Sequence, residues 1–490
     1  MRRHKHNLSH WRLTTMNQAQ LFPVGCVEVL PGDSFRHQVS ALVRVSPLVA
    51  PVMHPVHIHV HSWFVPSRIL WNSFEDFITR KDDTLTVPTT EIADTENAQA
   101  LARAFGVGMG SNTITVNALP FRAYNKIWNE FYRDQDLSSA LTEATGDGPD
   151  LSSLYQIKDV SWEKDYFTTA RSEPQQGTDA ETVSIDIGEM PVTGIGKSNQ
   201  TYGTASQAVY ETDGSGTTTY TDSALSRTSD FYVEEDPNNA GFPNIRADGT
   251  SATATFDINE WRTAMALQRL REHRNRFGSR YTDYLAFLGI RGSDQRLQRP
   301  EYLGGGKQTV AFSEVLQTSE SGTTPLGEMG GHGIAAVRTR PYKRFFEEHG
   351  YVLTLMFARP KTMYMDGIPR MFSRQTFDDF WQKELEIQGD QAILNKEVYS
   401  DHTTPDGTFG FARRHDDYRF HQSNVSGEFR NTLDFWHMAR IFTSDPALNE
   451  TFVTSDPTNR IYQATSEDQL YVMANHKLAA RRLVSKIARN

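Results

Sequence analysis

The sequence predicts a mainly β chain, an antiparallel sandwich or jelly roll that carries long insertions and several short helices. Three observations lead there. Strand-like runs such as FRHQVSALVRVSPLV and VHIHVHSWFVP come in short bursts, broken by prolines at 47, 51, 55 and 66. Strands and helices do not alternate in βαβ order, and no repeat of fixed period is present. The later runs, VLTLMFARP and TMYMDG, are joined by long polar connections such as RRHDDYRFHQSNVSGEFRN, as antiparallel folds allow.

The helices are fewer and are read from their spacing. In SRILWNSFEDFITR the apolar residues Ile69, Leu70, Phe74, Phe77 and Ile78 recur at helical intervals. LPFRAYNKIWNEFYRD, residues 119–134, is a stronger case, with Phe121, Tyr124, Ile127, Trp128, Phe131 and Tyr132 on one face; such an aromatic stripe belongs in a core. In FDINEWRTAMALQRLREHRNRFG, Asp257 is the candidate N-cap with Glu260 three residues later, Trp261, Met265, Leu267 and Leu270 share a face, and Gly278 is the stop. The arginines at 269, 271, 274 and 276 fall in its last turns, where the helix dipole favours positive charge.

Between these helices, from Gly188 to Thr255, the composition shifts to Gly, Ser, Thr, Asn and Ala, as in ETDGSGTTTYTDSALSRTSD. A segment so poor in large aliphatic residues cannot bury a core of its own. Its tyrosines, Tyr202, Tyr210 and Tyr220, favour an exposed excursion completed by neighbours. The chain therefore divides into residues 1–187, the insertion 188–255 and residues 256–490.

Composition excludes several function classes. With one cysteine, Cys26, an internal disulfide and a Cys-rich zinc module are ruled out, which fits a reducing compartment. No apolar run approaches the ~20 residues of a membrane span, and the charged start runs into polar sequence rather than a signal-peptide core. Net charge is −10, yet both ends are basic: Arg2, Arg3 and Lys5 open the chain, and Lys477, Arg481, Arg482, Lys486 and Arg489 close it as a basic C-terminal tail. Positive charge kept apart from an acidic bulk suits contact with nucleic-acid phosphates.

Chemical motifs are weak. In HPVHIHVHSW, residues 54–63, strand alternation turns Val56, Ile58 and Val60 one way and His57, His59 and His61 the other. Two or three imidazoles on one face are metal-ligand material, but a catalytic centre also wants a carboxylate or a distant third histidine, and the first acid downstream is Glu75. YLGGGKQT fails as a phosphate loop because Glu301 and Gln308 occupy the glycine and hydroxyl positions. No nucleophile elbow, zincin motif or carboxylate pair across a cleft stands out. No enzyme and no cofactor is expected. The alternatives are a metal-dependent jelly-roll enzyme of the cupin kind, using His57, His59 or His61, and a carbohydrate-binding or adhesin module with the Tyr-rich insertion as its face.

Several stretches taken together resemble the major capsid proteins of the small single-stranded DNA phages, the Microviridae, and among them the gokushoviruses. They are SHWRLTTMNQAQLFPVGCVEVLPGDSF, SPLVAPVMHPVHIHVHSWFVPSRILWNSFEDFIT, LPFRAYNKIWNEFYRDQ, SRYTDYLAFLGI with DQRLQRPEYLGGG, EHGYVLTLMFARP with GIPRMFSR, and AILNKEVY. The resemblance implies an eight-stranded viral jelly roll with large insertions, built through pentamers into a T=1 icosahedral shell around circular single-stranded DNA. It implies a virion protein, assembled in the host cytoplasm with a small basic DNA-packing protein and other phage proteins, that meets a bacterial receptor. In such proteins the insertion forms a protrusion at the three-fold axis, which would make Tyr202, Tyr210 and Tyr220 host-contact residues. The basic end LAARRLVSKIARN departs from the proline-rich ending usual in that family.

Overall fold

The computed structural model describes residues 3–92, 100–107, 112–175, 258–278, 280–290, 293–294, 298–318, 326–387 and 389–485, with a few two-residue strand pairings inside 192–247. The chain forms two compact units, residues 1–176 with 271–490, and residues 177–270. The expected sandwich lies in the first.

Its strands are β1 (His4–Asn7), β2 (His10–Met16), β3 (Phe22–Val29), β4 (Ser34–Val45), β5 (Val56–Pro66), β6 (Thr89–Ile92) and β7 (Ile114–Asn117). There follow β8 (Glu301–Thr309), β9 (Ala311–Leu316), β10 (Met329–Arg338), β11 (Tyr342–Phe345), β12 (Gly350–Pro360), β13 (Asp390–Leu394), β14 (Thr408–Arg413) and β15 (Leu470–Arg482). One antiparallel sheet places β15 beside β4, with β10 and then β9 beyond; β1 and β2 share the far side of β15, and β11 pairs with the first residues of β4. The second sheet runs β8, β5, β12, β3, also antiparallel.

The two sheets face each other over one core. Val39, Val43, Val472 and Ala474 from the first meet Val24, Ile58, Val60 and Met356 from the second. The sheets differ on their other faces, and the sequence carries the reason. β12 reads GYVLTLMFARP, apolar at nearly every position, and is buried along nearly its whole length; a strand covered on both sides needs no alternation. β15 reads LYVMANHKLAARR and alternates buried with open positions, as a strand with one wet face should.

The second face of the β8-β5-β12-β3 sheet is covered by the helix foreseen at 119–134, which runs Leu119–Phe131. Its Phe121, Tyr124, Ile127 and Trp128 pack with Trp63, Leu353, Leu355 and Trp71. Proline at the start of that helix has no amide to leave unsatisfied. Arg122 fixes this layer from inside: its guanidinium donates to both Asp150 carboxylate oxygens at 2.7 and 2.8 Å and to the Leu70 carbonyl at 3.0 Å. Both charged side chains are almost wholly buried.

The Gly-rich stretch that fails as a phosphate loop is strand β8, paired along β5. Gly305 is required there, since a Cβ would come within 2.5 Å of the Val60 carbonyl. The helix expected before Gly278 spans Ile258–Phe277, and Trp261, Met265, Leu267 and Leu270 are exposed on it; Asp257 lies outside the described residues.

Two histidines close the core between the sheets. His476 lies between His10 and His37, with ring centroids at 4.6 and 5.3 Å. The hydrogen bonds form a chain: His476 Nε2 meets the Val24 carbonyl at 3.0 Å, His37 Nε2 meets His476 Nδ1 at 3.1 Å, and Tyr342 Oη meets His37 Nδ1 at 3.0 Å. Since the Val24 carbonyl only accepts, His476 carries its proton on Nε2 and accepts from His37. Gly25 leaves room for the ring, for a Cβ there would stand 2.6 Å from it.

Two predictions follow from this packing. Replacing Arg122 with Ala strands the Asp150 carboxylate in the core and should destabilise the subunit by about 3–5 kcal/mol, measured by chemical denaturation. Burial, helped by the nearby imidazoles, lowers His37 to about 4 and His476 to about 3 from an ordinary 6.5. With folded values depressed, the unfolded chain takes up protons first as pH falls. Stability contributed by the pair is therefore complete above pH 6.5 and lost as pH falls toward 4 and 3. Melting temperature should drop over that window, and His476→Gln should remove part of the slope.

Candidate nucleic-acid interface

The histidine row of β5 finds protein partners instead of converging on a point. His57 Nδ1 meets Thr309 Oγ1 at 3.0 Å and His61 Nδ1 meets Tyr132 Oη at 2.8 Å. The His59 ring stacks on Phe357 with centroids 4.7 Å apart. Val56, Ile58 and Val60 point into the core between the sheets, as the alternation predicts, and the imidazoles point to the opposite face. Burial lowers His59 to about 3 and His61 to about 4, with the Arg359 charge adding to both. Among the described residues no three His, Cys, Asp or Glu side chains gather as a metal site.

The basic ends are brought together, but as strands. Residues 474–482, read from sequence as part of a basic end, belong to β15 near the middle of the larger sheet. Its register places Lys5 opposite Arg481, and both side chains are exposed. Lys477 stands on the same open face, since odd-numbered residues of β15 point outward and even-numbered ones into the core. Arg2, Lys486, Arg489 and the three insertion tyrosines, Tyr202, Tyr210 and Tyr220, lie outside the described residues.

Two of the expected contact residues have partners within the chain. Arg482 Nε pairs with Asp33 at 3.0 Å, and the guanidinium also donates to the Glu28 carbonyl and lies over the Phe35 ring. Arg3 donates to the Gly32 carbonyl and Ser34 Oγ, both at 3.0 Å, and lies over Phe345. These arginines fasten the strand ends to the turn that joins β3 and β4.

The open face holds more charge than the termini suggest. Arg36 and Arg44 of β4, Arg338 of β10 and Lys343 of β11 join Lys5, Lys477 and Arg481 on it, all exposed. None of these cations has an ion-pair partner among the described residues, and β1, β2, β4, β10, β11 and β15 contain no Asp or Glu. Acids occur at the margins, Glu314 on β9 and Glu467 and Asp468 ahead of β15. Two like-charged pairs sit directly across strands, Lys5 with Arg481 and Arg36 with Lys343. Such pairs are unfavourable in an isolated sheet and become favourable when an anion lies over them.

Apolar and aromatic side chains are set between the cations. Trp11, 66% exposed, is opposite Asn475, and Leu13, 83% exposed, is opposite Met473; Tyr471 is opposite Arg44. Cations for the backbone and flat rings for the bases are the two components of a surface for single-stranded nucleic acid. Sequence reading missed Arg36, Arg44, Arg338 and Lys343, although FRHQVSALVRV and GIAAVRTRPYKR held the signal: alternating strands, cations at the outward positions, no acid.

Changing Arg36, Lys477 and Arg481 together to Gln should weaken binding of single-stranded DNA at least about tenfold and shrink its salt slope by about two units, because each lost phosphate contact removes a share of counterion release. Fluorescence anisotropy over a salt series measures both. Arg482→Gln should instead lower the melting temperature. Replacing His57 and His59 together with Thr should shift melting only slightly, with or without a chelator.

Comparison with known proteins places the chain in a family. The phage capsid protein (F protein) family model matches residues 1–486. The chain is 35% identical to the capsid protein VP1 of Bdellovibrio phage phiMH2K, over 95% of this chain and 90% of that protein. It is 29% identical to the capsid protein VP1 of Chlamydia phage 1, over 93% and 90% of the two chains. With the capsid protein VP1 of Spiroplasma virus 4 it shares 28% identity, over 93% and 88%. The match along nearly the whole length to capsid proteins identifies a structural protein and not an enzyme: the chain belongs to the phage capsid protein (F protein) family, as a major capsid protein of the Microviridae type.

Proposed function

We propose that this major capsid protein forms a T=1 shell, through pentamers, around circular single-stranded DNA, with the open face of its larger sheet lining the lumen. The observation that carries the lumenal assignment is the set of cations, unpaired among the described residues, on strands without Asp or Glu in a chain whose net charge is −10. A protein that encloses phosphates must show them a positive surface and remain soluble elsewhere, and segregation of charge achieves both. Backbone contacts by Lys5, Arg36, Lys477 and Arg481 are independent of base sequence, as packaging of a whole genome requires. A small basic DNA-packing protein would neutralise the phosphates that this face leaves uncovered. On this reading assembly takes place in the host cytoplasm.

Residues 188–255 form the outward loop in this reading, as a protrusion at the three-fold axis that meets a bacterial receptor through Tyr202, Tyr210 and Tyr220. Two facts support it: the Gly/Ser/Thr composition of the insertion, and the grouping of 177–270 as a unit distinct from the one holding the sandwich. Copies meeting on a symmetry axis supply each other with the burial that one copy lacks.

Electron microscopy of the expressed protein should show closed shells or pentamers; a population of monomers alone would overturn the assembly reading. Exchange of 188–255 for a short Gly-Ser linker should leave shells intact and reduce attachment to host cells, since surface loops tolerate changes of length at small entropic cost.

A further inference from the structure

A pocket of about 410 Å³ lies among the loops after β12, lined by none of the cations of the open face. Met371, Phe372, Tyr418 and Phe420 are among its lining residues, and all four side chains are exposed at its mouth. Beside it Phe377, Phe380 and Trp381 project into solvent; Phe372 and Phe377 are 70% and 74% exposed. Isolated exposed apolar residues mean little, whereas a concentration of aromatic and methionine side chains of this kind marks an interaction site.

The patch is held rigid. Arg374 pairs with Asp417 and lies over the Tyr418 ring at 4.1 Å, which ties the two loops together. The Asp379 carboxylate accepts from the Gln375 and Thr376 amides and from Thr376 Oγ1, at 2.8 to 2.9 Å, which fixes the turn that carries Phe377 and Phe380. Those same bonds lower Asp379 to about 2 by favouring its charged form. Trp381 Nε1 donates to Glu386 at 2.9 Å and sets the ring outward. Beneath the loops Tyr166, Phe167, Tyr364, Val398 and Phe409 form a core of their own. Side chains ordered before binding lose little freedom on binding.

We infer that this patch is a contact between copies of the chain, in which the aromatic knobs of one copy enter the pocket mouth of another. The inference rests on the assembly reading above and specifies its surface. A second copy is selected because the patch contains its own complement. Knobs and a hollow occur in the same set of loops, which also carry the exposed acids Asp378 and Glu384 and the exposed bases Arg413 and Arg430, while Glu386 and Arg419 pair with each other at 3.7 Å. A two-fold contact sets a surface against itself, so that residue i meets j and j meets i, which requires this mixture of shapes and signs. A partner of one charge or one shape would not.

Hydroxyl-radical footprinting of wild-type protein tests this without reliance on any variant. On passing from unassembled subunits to shells, oxidation of Trp381, Phe377 and Phe372 should fall about fivefold or more. Shells in which these residues oxidise as fast as in free subunits overturn the inference. Failure to form shells at all would instead overturn the assembly reading on which it depends. As a second arm, Phe377→Asp with Trp381→Asp should keep the melting transition of the subunit and lower the yield of shells at least about tenfold. Normal shells that no longer attach to cells would make the patch a host contact, and the inference would be wrong.

Discussion

Lys5, Arg36, Lys477 and Arg481 of the candidate interface share one face because of one pairing, that of Leu470–Arg482 with chain more than four hundred residues earlier. β15 runs between β4 on one side and β1 with β2 on the other, in unbroken register from Leu470↔Val45 to Arg481↔Ser34. Its even-numbered residues, Val472, Ala474, His476, Leu478 and Ala480, fill the space between the sheets. Each such burial contributes on the order of 1.5–3 kcal/mol for the larger side chains, while a slip of one residue would turn all of them outward. The same register that seats the core therefore presents Lys477 and Arg481 on the opposite face beside Arg36 and Lys5.

The unequal treatment of the two sheets turns that register into a function. The β8-β5-β12-β3 sheet is sealed on its second face by the Leu119–Phe131 helix and the buried Arg122–Asp150 pair, so it offers little for a partner to touch. The larger sheet is sealed on one face alone. What it presents outward combines like charges set opposite one another with exposed Trp11 and Leu13, an arrangement unfavourable in water and favourable against a polyanion with stackable bases. A sheet designed for solvent alone would intersperse acids.

Local periodicity made part of this legible from sequence. The helix at 119–131 and the facing of Val56, Ile58 and Val60 followed from spacing, because neighbours in sequence decide them. The side chains on the other face of β5 find partners that spacing does not name, His57 with Thr309 and His61 with Tyr132. The closing strand did not follow from spacing either. ANHKLAARRLVSKIARN reads as a charged tail when taken alone, and only pairing with β4 and β1 makes its first residues core and its charges a face. Arg482 shows the limit best: identical in sequence character to Arg481, it is committed to Asp33, and a one-residue alternation separates the two roles. The exposure of Trp261, Met265, Leu267 and Leu270 on their helix was likewise invisible, since spacing gives a shared face and not what covers it.

A reconstruction of genome-filled particles by electron cryomicroscopy decides the matter, through the radial position of the larger sheet. The open face bearing Arg36, Lys477 and Arg481 should point toward the particle centre, with density for nucleic acid over it and the Leu119–Phe131 helix at larger radius. The reverse orientation, with those cations on the outer surface and no nucleic-acid density against them, would show that this face serves some other partner.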